Sequence, residues 1–389
     1  MHPLAAALDE ANGVDQDTRA GILRAGIAAP SADNSQPWRF AWTGDALDVR
    51  IDPDRSGHVS DTRYVLSDLA TGACLENMLV HARSRGWGAD LEIFPQQDDP
   101  LWIARIRWRR DAGDRPEPLA AAIEQRHTDR RFPWRGPITA DTRARLDAQA
   151  RWIPGARLWW PQTPRARKAA QGLIREAEAL RFKSPTLHAE LFSSIRFSAG
   201  WHTACEEGLP PAALAVEPPL RPMFQAMRRP GVMATFNRLG AAAMLGWRSA
   251  WVPIRLSPGL CLVAVASTGR ADVLSGGRAL QRVWLQATLE GLSVQPYAAP
   301  GVLSLGFVPL EPALQQSRSR LASALGDLAE TGAGLVFLRL GYTRSPPAGR
   351  SGRRPLASFG RFPGFADADS DSVSESLTNT APGQTGDIN

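Results

Sequence analysis

The sequence predicts two related units in one chain, each combining helices with strands. Strand-like segments flank a helix in the same order in both halves of the 389 residues. Any two amphipathic helices with terminal glycines could match each other well, but the shared order of elements favours an internal duplication. The offset is 277 minus 72, or 205 residues, and the aligned identities are Gly72 with Gly277, Leu75 with Leu280, Ala82 with Ala287, and Gly86 with Gly291.

Capping and breaking residues delimit the elements of the first unit, which we place at residues 1–118. A helix over 15–29 can be capped by Asp15 or Asp17 and ends at Pro30. Apolar alternation and glycine stops then predict two strands over 39–52, a helix over 67–85 and a strand pair over 89–109.

The second unit is placed at residues 119–358. Its predicted elements are a helix over 141–150, a strand over 157–160, a long helical stretch over 165–201, a strand over 260–266, a helix over 277–289 and a strand over 335–341. An apolar, methionine-containing insertion around 209–260 lacks clean periodicity, and such a stretch is most often part of a core. Residues 359–389 form an acidic, Ser-rich tail that buries too little apolar surface to fold, so we expect it to be disordered.

Composition limits the classes of function. The net charge of +6 and pI near 9.8 come largely from scattered arginines, and no zinc-ligand spacing or basic heptad helix accompanies them, which disfavours nucleic acid. Three widely spaced cysteines indicate a reducing compartment. The sequence shows neither a secretory signal nor an apolar run of membrane-spanning length, so we expect a cytoplasmic protein without membrane contact.

One segment, residues 30–38 (PSADNSQPW), places polar side chains between two prolines and a tryptophan. Ser31 and Asn34 have short side chains that could reach the heteroatoms of a planar ligand, while Gln36 could buttress the loop. The alternative is turn formation, since Ser and Asn between prolines form turns readily, although nine patterned positions are harder to explain by a turn than two or three would be.

A second segment, residues 126–132 (RHTDRRF), presents two guanidinium groups and a hydroxyl at alternate positions. Arg126, Thr128 and Arg130 could therefore hold a phosphate through charge-assisted hydrogen bonds. The alternative is that these arginines form surface ion pairs with Glu124 and Asp129.

Together the two segments resemble the flavin-binding signature of the nitroreductase family, in which Arg-His-Ser/Thr-x-Lys/Arg-x-Phe accompanies Pro-Ser-x-x-Asn-x-Gln-Pro-Trp. The resemblance implies an α+β nitroreductase-like fold. Family members are usually homodimers in which the arginine signature and the loop of one site come from different subunits. Here the first unit has the loop, and the second has the arginines but carries residues 152–155 (WIPG) where its loop would follow. The chain thus resembles the long single-chain Acg-like branch, in which one chain forms a pseudo-dimer.

The resemblance implies that the protein is an FMN-dependent oxidoreductase. Such an enzyme takes a hydride from NADH or NADPH and reduces a nitroaromatic, quinone or similar small molecule. We expect a monomeric pseudo-dimer and leave further dimerisation open. Neither a metal nor a catalytic side chain is expected. The residues that the resemblance assigns to FMN are Pro30, Ser31, Asn34, Gln36, Arg126, Thr128, Arg130, Arg350, Arg353 and Arg354.

Three points stay open in the sequence. Two segments, 207–210 and 295–297, are candidates for the part that faces the flavin ring. The resemblance to the Acg-like branch also implies that the insertion around 209–260 could be a lid over the flavin, in a catalytically quiet protein that sequesters FMN. A third alternative is an oxidative flavin enzyme that acts on a specific small molecule.

Overall fold

Two four-stranded antiparallel sheets with the same topology form the framework of the computed structural model, which describes residues 14–111, 117–132, 136–202, 204–343 and 350–360. The first sheet has the order β1-β2-β4-β3 and consists of β1 (Trp38–Thr43), β2 (Ala46–Ile51), β3 (Trp87–Ile93) and β4 (Trp102–Arg110). The second has the order β5-β6-β8-β7 and consists of β5 (Arg157–Trp159), β6 (Gly259–Val265), β7 (Leu292–Tyr297) and β8 (Ala333–Tyr342).

The helices repeat the same order around both sheets. Helix α1 (Gln16–Ile27) precedes the first sheet, and α2 (Val65–Ser84) connects β2 to β3; α3 (Ala140–Arg151) precedes the second sheet, and α10 (Arg270–Leu289) connects β6 to β7. Further helices lie in the second half: α4 (Pro164–Lys183), α5 (Pro185–Ser194), α6 (Arg221–Ala226), α7 (Pro230–Arg238), α8 (Ala241–Gly246), α9 (Val252–Leu256), α11 (Ala299–Ser304) and α12 (Gln315–Ala329).

The duplication predicted from the sequence is confirmed by this repeat. Helix α10 begins 205 residues after α2 (270 minus 65) and ends 205 residues after it (289 minus 84), and β7 follows β3 at the same offset (292 minus 87). The sequence offset of 205 thus relates structural equivalents. The chain has an α+β fold in which two related units form a pseudo-dimer.

The two equivalent helices cross at their glycines. A Cβ atom on Gly72 would lie 2.1 Å from the carbonyl oxygen of Leu274, and one on Gly277 would lie 2.0 Å from that of Leu69. Residues 69 and 274 are themselves equivalent at the offset of 205, so the two contacts are related by the pseudo-twofold axis. Only glycine permits backbones to approach this closely.

Polar contacts at the same crossing are also reciprocal. Asn77 accepts a hydrogen bond of 2.6 Å from Gln281, and Glu76 accepts one of 2.8 Å from Arg282. At the offset of 205 residues Gln281 is the equivalent of Glu76 and Arg282 that of Asn77, so the two bonds join equivalent pairs. Burial favours the neutral form of Glu76, but the surrounding arginines outweigh it and hold its pKa below the usual value. The pairing is therefore a buried, hydrogen-bonded charge cluster rather than an isolated charge.

The second unit departs from the prediction where proline and inserted helices intervene. The helical stretch expected over 165–201 is wrong in part, because Ser184 and Pro185 end α4 and start α5, and regular helix stops at Ser194. The helix expected over 277–289 begins earlier, at Arg270. Strand β7 and helices α11 and α12 were not predicted.

The C-terminal segment crosses from the second unit to the first. Phe359 is fully buried, with its ring centroid 6.5 Å from that of Trp38 and 6.1 Å from that of Phe40. The described part therefore extends two residues, 359 and 360, into the predicted tail, and the rest of that tail, from residue 361, lies outside the described residues. The unit boundary at residue 118 stays a prediction. No described helix has the length and hydropathy needed to cross a membrane.

Replacing Gly277 with alanine should destabilise the protein by about 1–3 kcal/mol or more, because the added methyl group meets a backbone carbonyl that cannot move aside. Gly326→Ala in α12 is the matched control, since a Cβ there meets nothing within 4 Å and alanine favours the helix. Urea unfolding of both variants measures the difference. Equal stability of Gly277→Ala and the wild type would contradict the helix crossing.

Candidate functional site

A cavity of about 370 Å³ lies between the two units and brings both signature segments together. Its volume is in the range of small-molecule and cofactor sites. Eight of the ten residues assigned from the sequence line it: Pro30, Ser31 and Asn34 from the loop after α1, Arg126, Thr128 and Arg130 from the second signature, and Arg350 and Arg353 from the C-terminal segment. Gln36 and Arg354 do not line it.

The loop after α1 holds an unusual backbone. Asp33, Asn34 and Gln36 all have positive φ, at 49°, 58° and 52°, a conformation that non-glycine residues seldom adopt. Hydrogen bonds fix it: the amide of Gln36 donates to the Ser31 hydroxyl oxygen at 2.9 Å, and its side chain donates to the carbonyl of Glu206 at 2.7 Å. Strain maintained in this way is common at ligand sites.

Arg353 acts as a clip between the C-terminal segment and the first unit. It donates to the carbonyl oxygens of Ile27, Ala28 and Ala29 at the end of α1, at 2.8 to 3.1 Å, and to the side-chain oxygen of Asn34 at 3.0 Å. A cation at the C-terminal end of a helix is favourable. Burial nevertheless lowers the pKa of Arg353 to about 10. Arg353 and Asn34 thus use their polar groups largely on each other and on the backbone.

Gln36 and Arg354 occupy supporting positions. The backbone amide of Arg354 donates to the Gln36 side-chain oxygen, and its guanidinium donates to the Gln36 carbonyl, both at 3.0 Å. The Arg354 guanidinium also lies over the ring of Phe359. These contacts place both residues behind the loop, where they hold its shape.

Arg126 is a buried cation whose donors are only partly used. Its guanidinium lies 4.6 Å from the ring centroid of Trp284 and donates to the carbonyl of Ala28 at 3.0 Å, but its Nε has no hydrogen-bond partner. Burial, with a contribution from nearby Arg353, lowers its pKa to about 9. Within the described part of the chain Arg126 forms no ion pair, so the surface pairs with Glu124 or Asp129 are not formed. An anion in the cavity would supply a counter-charge and a hydrogen-bond acceptor for the Arg126 guanidinium.

The rest of the second signature is held by the second sheet. Thr128 forms a parallel bridge with Val294 and turns toward the cavity, and the amide of Asp129 donates to the Val294 carbonyl at 2.9 Å. Asp129 pairs with Arg131 at 2.7 Å rather than with Arg126 or Arg130. His127 also lines the cavity; its ring forms a hydrogen bond of 2.7 Å with the carbonyl of Gln125, and burial lowers its pKa.

Of the two segments considered for the flavin ring, the later one lines the cavity. Pro296 and Tyr297 lie in its wall at the end of β7, whereas Glu207 and Gly208 line a neighbouring cavity and only Leu209 reaches the first. The Tyr297 hydroxyl donates to the Ser249 carbonyl at 2.9 Å and so connects this wall to the insertion.

A charged cluster that the sequence did not predict lies at another part of the wall. Glu178 and Arg181 of α4 face the cavity near Asp33 and Arg130, and Arg130 donates to the Ala213 carbonyl at 3.0 Å. Burial raises the pKa of Glu178 despite its arginine neighbours. The available signal was a glutamate inside the apolar stripe of α4, between Ala177 and Ala179.

A second cavity of about 460 Å³ adjoins the first. The two share Ala32, Asp33, Ser60, Leu66 and Glu190 in their walls. Because the walls are shared, a ligand in the first cavity would lie next to a second space of similar volume.

The chain is similar to proteins of Mycobacterium tuberculosis, while no family model matches it. An uncharacterized protein of strain CDC 1551 / Oshkosh is 26% identical over 348 residues, covering 87% of this chain and 47% of that protein. A protein of the same strain named "Putative NAD(P)H nitroreductase MT3217" is 31% identical over 137 residues, 35% of this chain and 40% of that protein. The chain thus spans less than half the length of these two relatives.

Another relative from that strain aligns over nearly its whole length. The protein named "Putative NAD(P)H nitroreductase acg" is 28% identical over 361 residues, covering 88% of this chain and 95% of that protein. The similarity confirms the resemblance to the Acg-like branch that the two signatures predicted.

Solved structures overlap with part of the chain. A nitroreductase with bound FMN from Desulfitobacterium hafniense DCB-2 is 13% identical, with a TM-score of 0.32 and coverage of 63% of this chain and 97% of that one. The FMN-dependent nitroreductase NfnB from Mycobacterium smegmatis, in complex with NADPH, is 14% identical, with a TM-score of 0.33 and coverage of 63% and 98%. The duplicated topology, rather than this overlap, defines the fold.

Arg126→Met should leave the ligand-free protein at least as stable as the wild type, because the charge that it removes is buried without a counter-charge. Burial lowers the pKa of Arg126 in the folded state to about 9, so below that pH the folded protein bears the full cost of the buried charge. Above that pH the folded state loses the proton before the unfolded state does, and the cost to stability decreases. The variant's advantage should therefore shrink above about pH 9. Thermal unfolding across this pH range measures it.

Arg107→Met is the matched control, because Arg107 is exposed and pairs with Glu92 on the surface. Its stability should change little, within about 0.5 kcal/mol. A marked loss of stability in Arg126→Met below pH 9 would show that its contacts with Ala28 and Trp284 outweigh the cost of the buried charge.

Proposed function

We propose that this chain, which resembles the Acg-like nitroreductases, is an FMN-dependent NAD(P)H oxidoreductase with its flavin site in the cavity between the two units. The observation that carries this proposal is Arg126: a buried guanidinium with an unsatisfied donor, in a wall to which the two separated signature segments both contribute. A bound phosphate would supply the missing counter-charge and acceptor.

The residues present fit the phosphate end of FMN. Arg126 has an unused donor, and Thr128 and Arg350, a hydroxyl-bearing and a guanidinium-bearing residue, line the same cavity. Arg353 lies beside them but is occupied with the end of α1, so its part is to hold the wall and to add positive potential. Arg130 is turned toward Asp33 and Glu178, which makes it the weaker candidate for phosphate.

The other walls suit a planar, partly apolar ring. Ser31 and the Pro296–Tyr297 segment offer polar and backbone groups, and Leu66, Val302 and Leu303 supply apolar surface that excludes water. When bound, FMN would supply the redox chemistry by accepting a hydride from NAD(P)H and passing electrons to a second substrate, here a nitroaromatic, a quinone or a similar small molecule. The protein's own residues bind and orient the flavin and shield it from water.

A second candidate function is flavin sequestration without turnover. It is favoured by the lid segment, residues 209–260, because Leu209 and Ala213 lie in the cavity wall and Arg130 and Tyr297 both bond to carbonyls of this segment. A lid fastened in this way would have to open before a second substrate entered.

Arg126→Ala should weaken FMN binding by about 1.5–3 kcal/mol, roughly 10- to 150-fold in Kd, because it removes a charged hydrogen-bond donor to the phosphate. Titration of FMN fluorescence with the flavin-free protein measures the affinity. Arg107→Ala is the control and should bind as the wild type does. Unchanged affinity in Arg126→Ala would remove this residue from the site.

Oxidation of NADH and of NADPH by the flavin-loaded protein, with a nitroaromatic or a quinone as acceptor, tests the reductase proposal. We expect steady turnover that depends on the acceptor. Flavin-loaded protein that oxidises neither nucleotide with either acceptor would favour sequestration instead.

A further inference from the structure

The outer side of the lid segment exposes large apolar side chains. Leu239, Met244 and Trp247 lie within nine residues of each other and are 84%, 52% and 51% exposed. Scattered single exposed apolar residues are ordinary, but a group confined to one short segment indicates an interaction site.

Met244 and Trp247 belong to one face of a continuous helical run. A π-helical turn, Trp247–Trp251, joins α8 to α9, so Met244, Trp247, Trp251 and Arg255 recur at spacings of three, four and four residues. Met244, Trp247 and Arg255 are exposed and Trp251 is half-buried. Such spacing places the four on the same side of a helix.

The opposite face of this run is fixed to the body of the protein. A Cβ on Gly246 would lie 2.6 Å from the carbonyl oxygen of Arg175 in α4, and the side chain of Gln171 in α4 donates to the Trp251 carbonyl at 2.6 Å. Ala250 between them is fully buried. The helical run is therefore held with its apolar stripe facing outward.

Most of the lid segment carries charge of one sign. Residues 218–258 contain six arginines and no aspartate or glutamate. Among the described residues only one of the six, Arg248, forms an ion pair, with Glu217 outside this stretch at 2.7 Å. Four of the arginines are exposed, namely Arg228, Arg229, Arg238 and Arg255.

We infer that the lid segment, through exposed Leu239, Met244 and Trp247 and the four exposed arginines, docks on an anionic phospholipid surface. Tryptophan and leucine insert at the boundary between head groups and acyl chains, while arginines bind the lipid phosphates. A second copy of the chain is a poorer partner, because a twofold interface would set the same arginines against one another. Docking of this kind revises the sequence-based expectation of no membrane contact, and it does not depend on the proposed redox function.

Sedimentation of the whole 389-residue protein, as purified, with vesicles tests the inference. We expect binding to phosphatidylcholine vesicles that contain phosphatidylglycerol, little binding to phosphatidylcholine alone, and weaker binding at high salt. Arg228→Gln combined with Arg229→Gln should lower the partition coefficient by roughly tenfold or more, since each basic residue adds substantially to binding at an anionic surface. Leu239→Gln combined with Trp247→Gln should lower it comparably.

Trp152→Gln and Leu289→Gln are matched controls, because these side chains are 58% and 41% exposed outside the lid segment. Both should bind vesicles as the wild type does. Absence of wild-type binding to the anionic vesicles, or equal loss in the controls, would overturn the inference. So would a solution mass showing a dimer that Leu239→Gln with Trp247→Gln dissociates, because the face would then be a contact between copies.

Discussion

The backbone contact between α2 and α10 is the constraint on which the rest of the molecule depends. At Gly72 and Gly277 each helix meets a carbonyl of the other, and no side chain fits between them. The contact sets the distance between the two units, and the reciprocal pairs Asn77–Gln281 and Glu76–Arg282 set their orientation. Because equivalent residues form both halves of the contact, it preserves within one chain the symmetry expected of two subunits.

The cavity follows from that crossing through a closed series of contacts. Asn77 accepts from Gln281 of α10 and donates to the Ala25 carbonyl in α1 at 2.8 Å, which positions the end of α1. The carbonyl of Ala28 then accepts from Arg126, and Arg126 lies over Trp284, again in α10. The buried cation is thus fixed by both units, so its unsatisfied donor is a product of the whole fold rather than of one loop.

Much of this was predictable from local patterns. The offset of 205 residues correctly related α2 to α10. The two signature segments indicated which parts of the chain would meet at the cavity. They did not indicate that the hydrogen-bond donors of Arg353 would be used by Asn34 and by the carbonyls at the end of α1. The break at Pro185 was visible in the sequence and was missed because apolar periodicity continued past it. A glutamate inside the apolar stripe of α4 was a signal for the buried charge of Glu178. Its partners Asp33 and Arg130 were not predictable, because they are distant in sequence and only the folded chain brings them together.

The asymmetry of the duplication makes one claim measurable. The loop that lines the cavity in the first unit has residues 152–155 in its place in the second, including exposed Trp152, and these carry no Ser, Asn or Gln. One chain should therefore hold one complete site. The ratio of FMN to polypeptide, from the absorbance of released flavin and the protein concentration, tests this directly. We predict one FMN per 42.2 kDa chain, and a ratio of two would contradict the account.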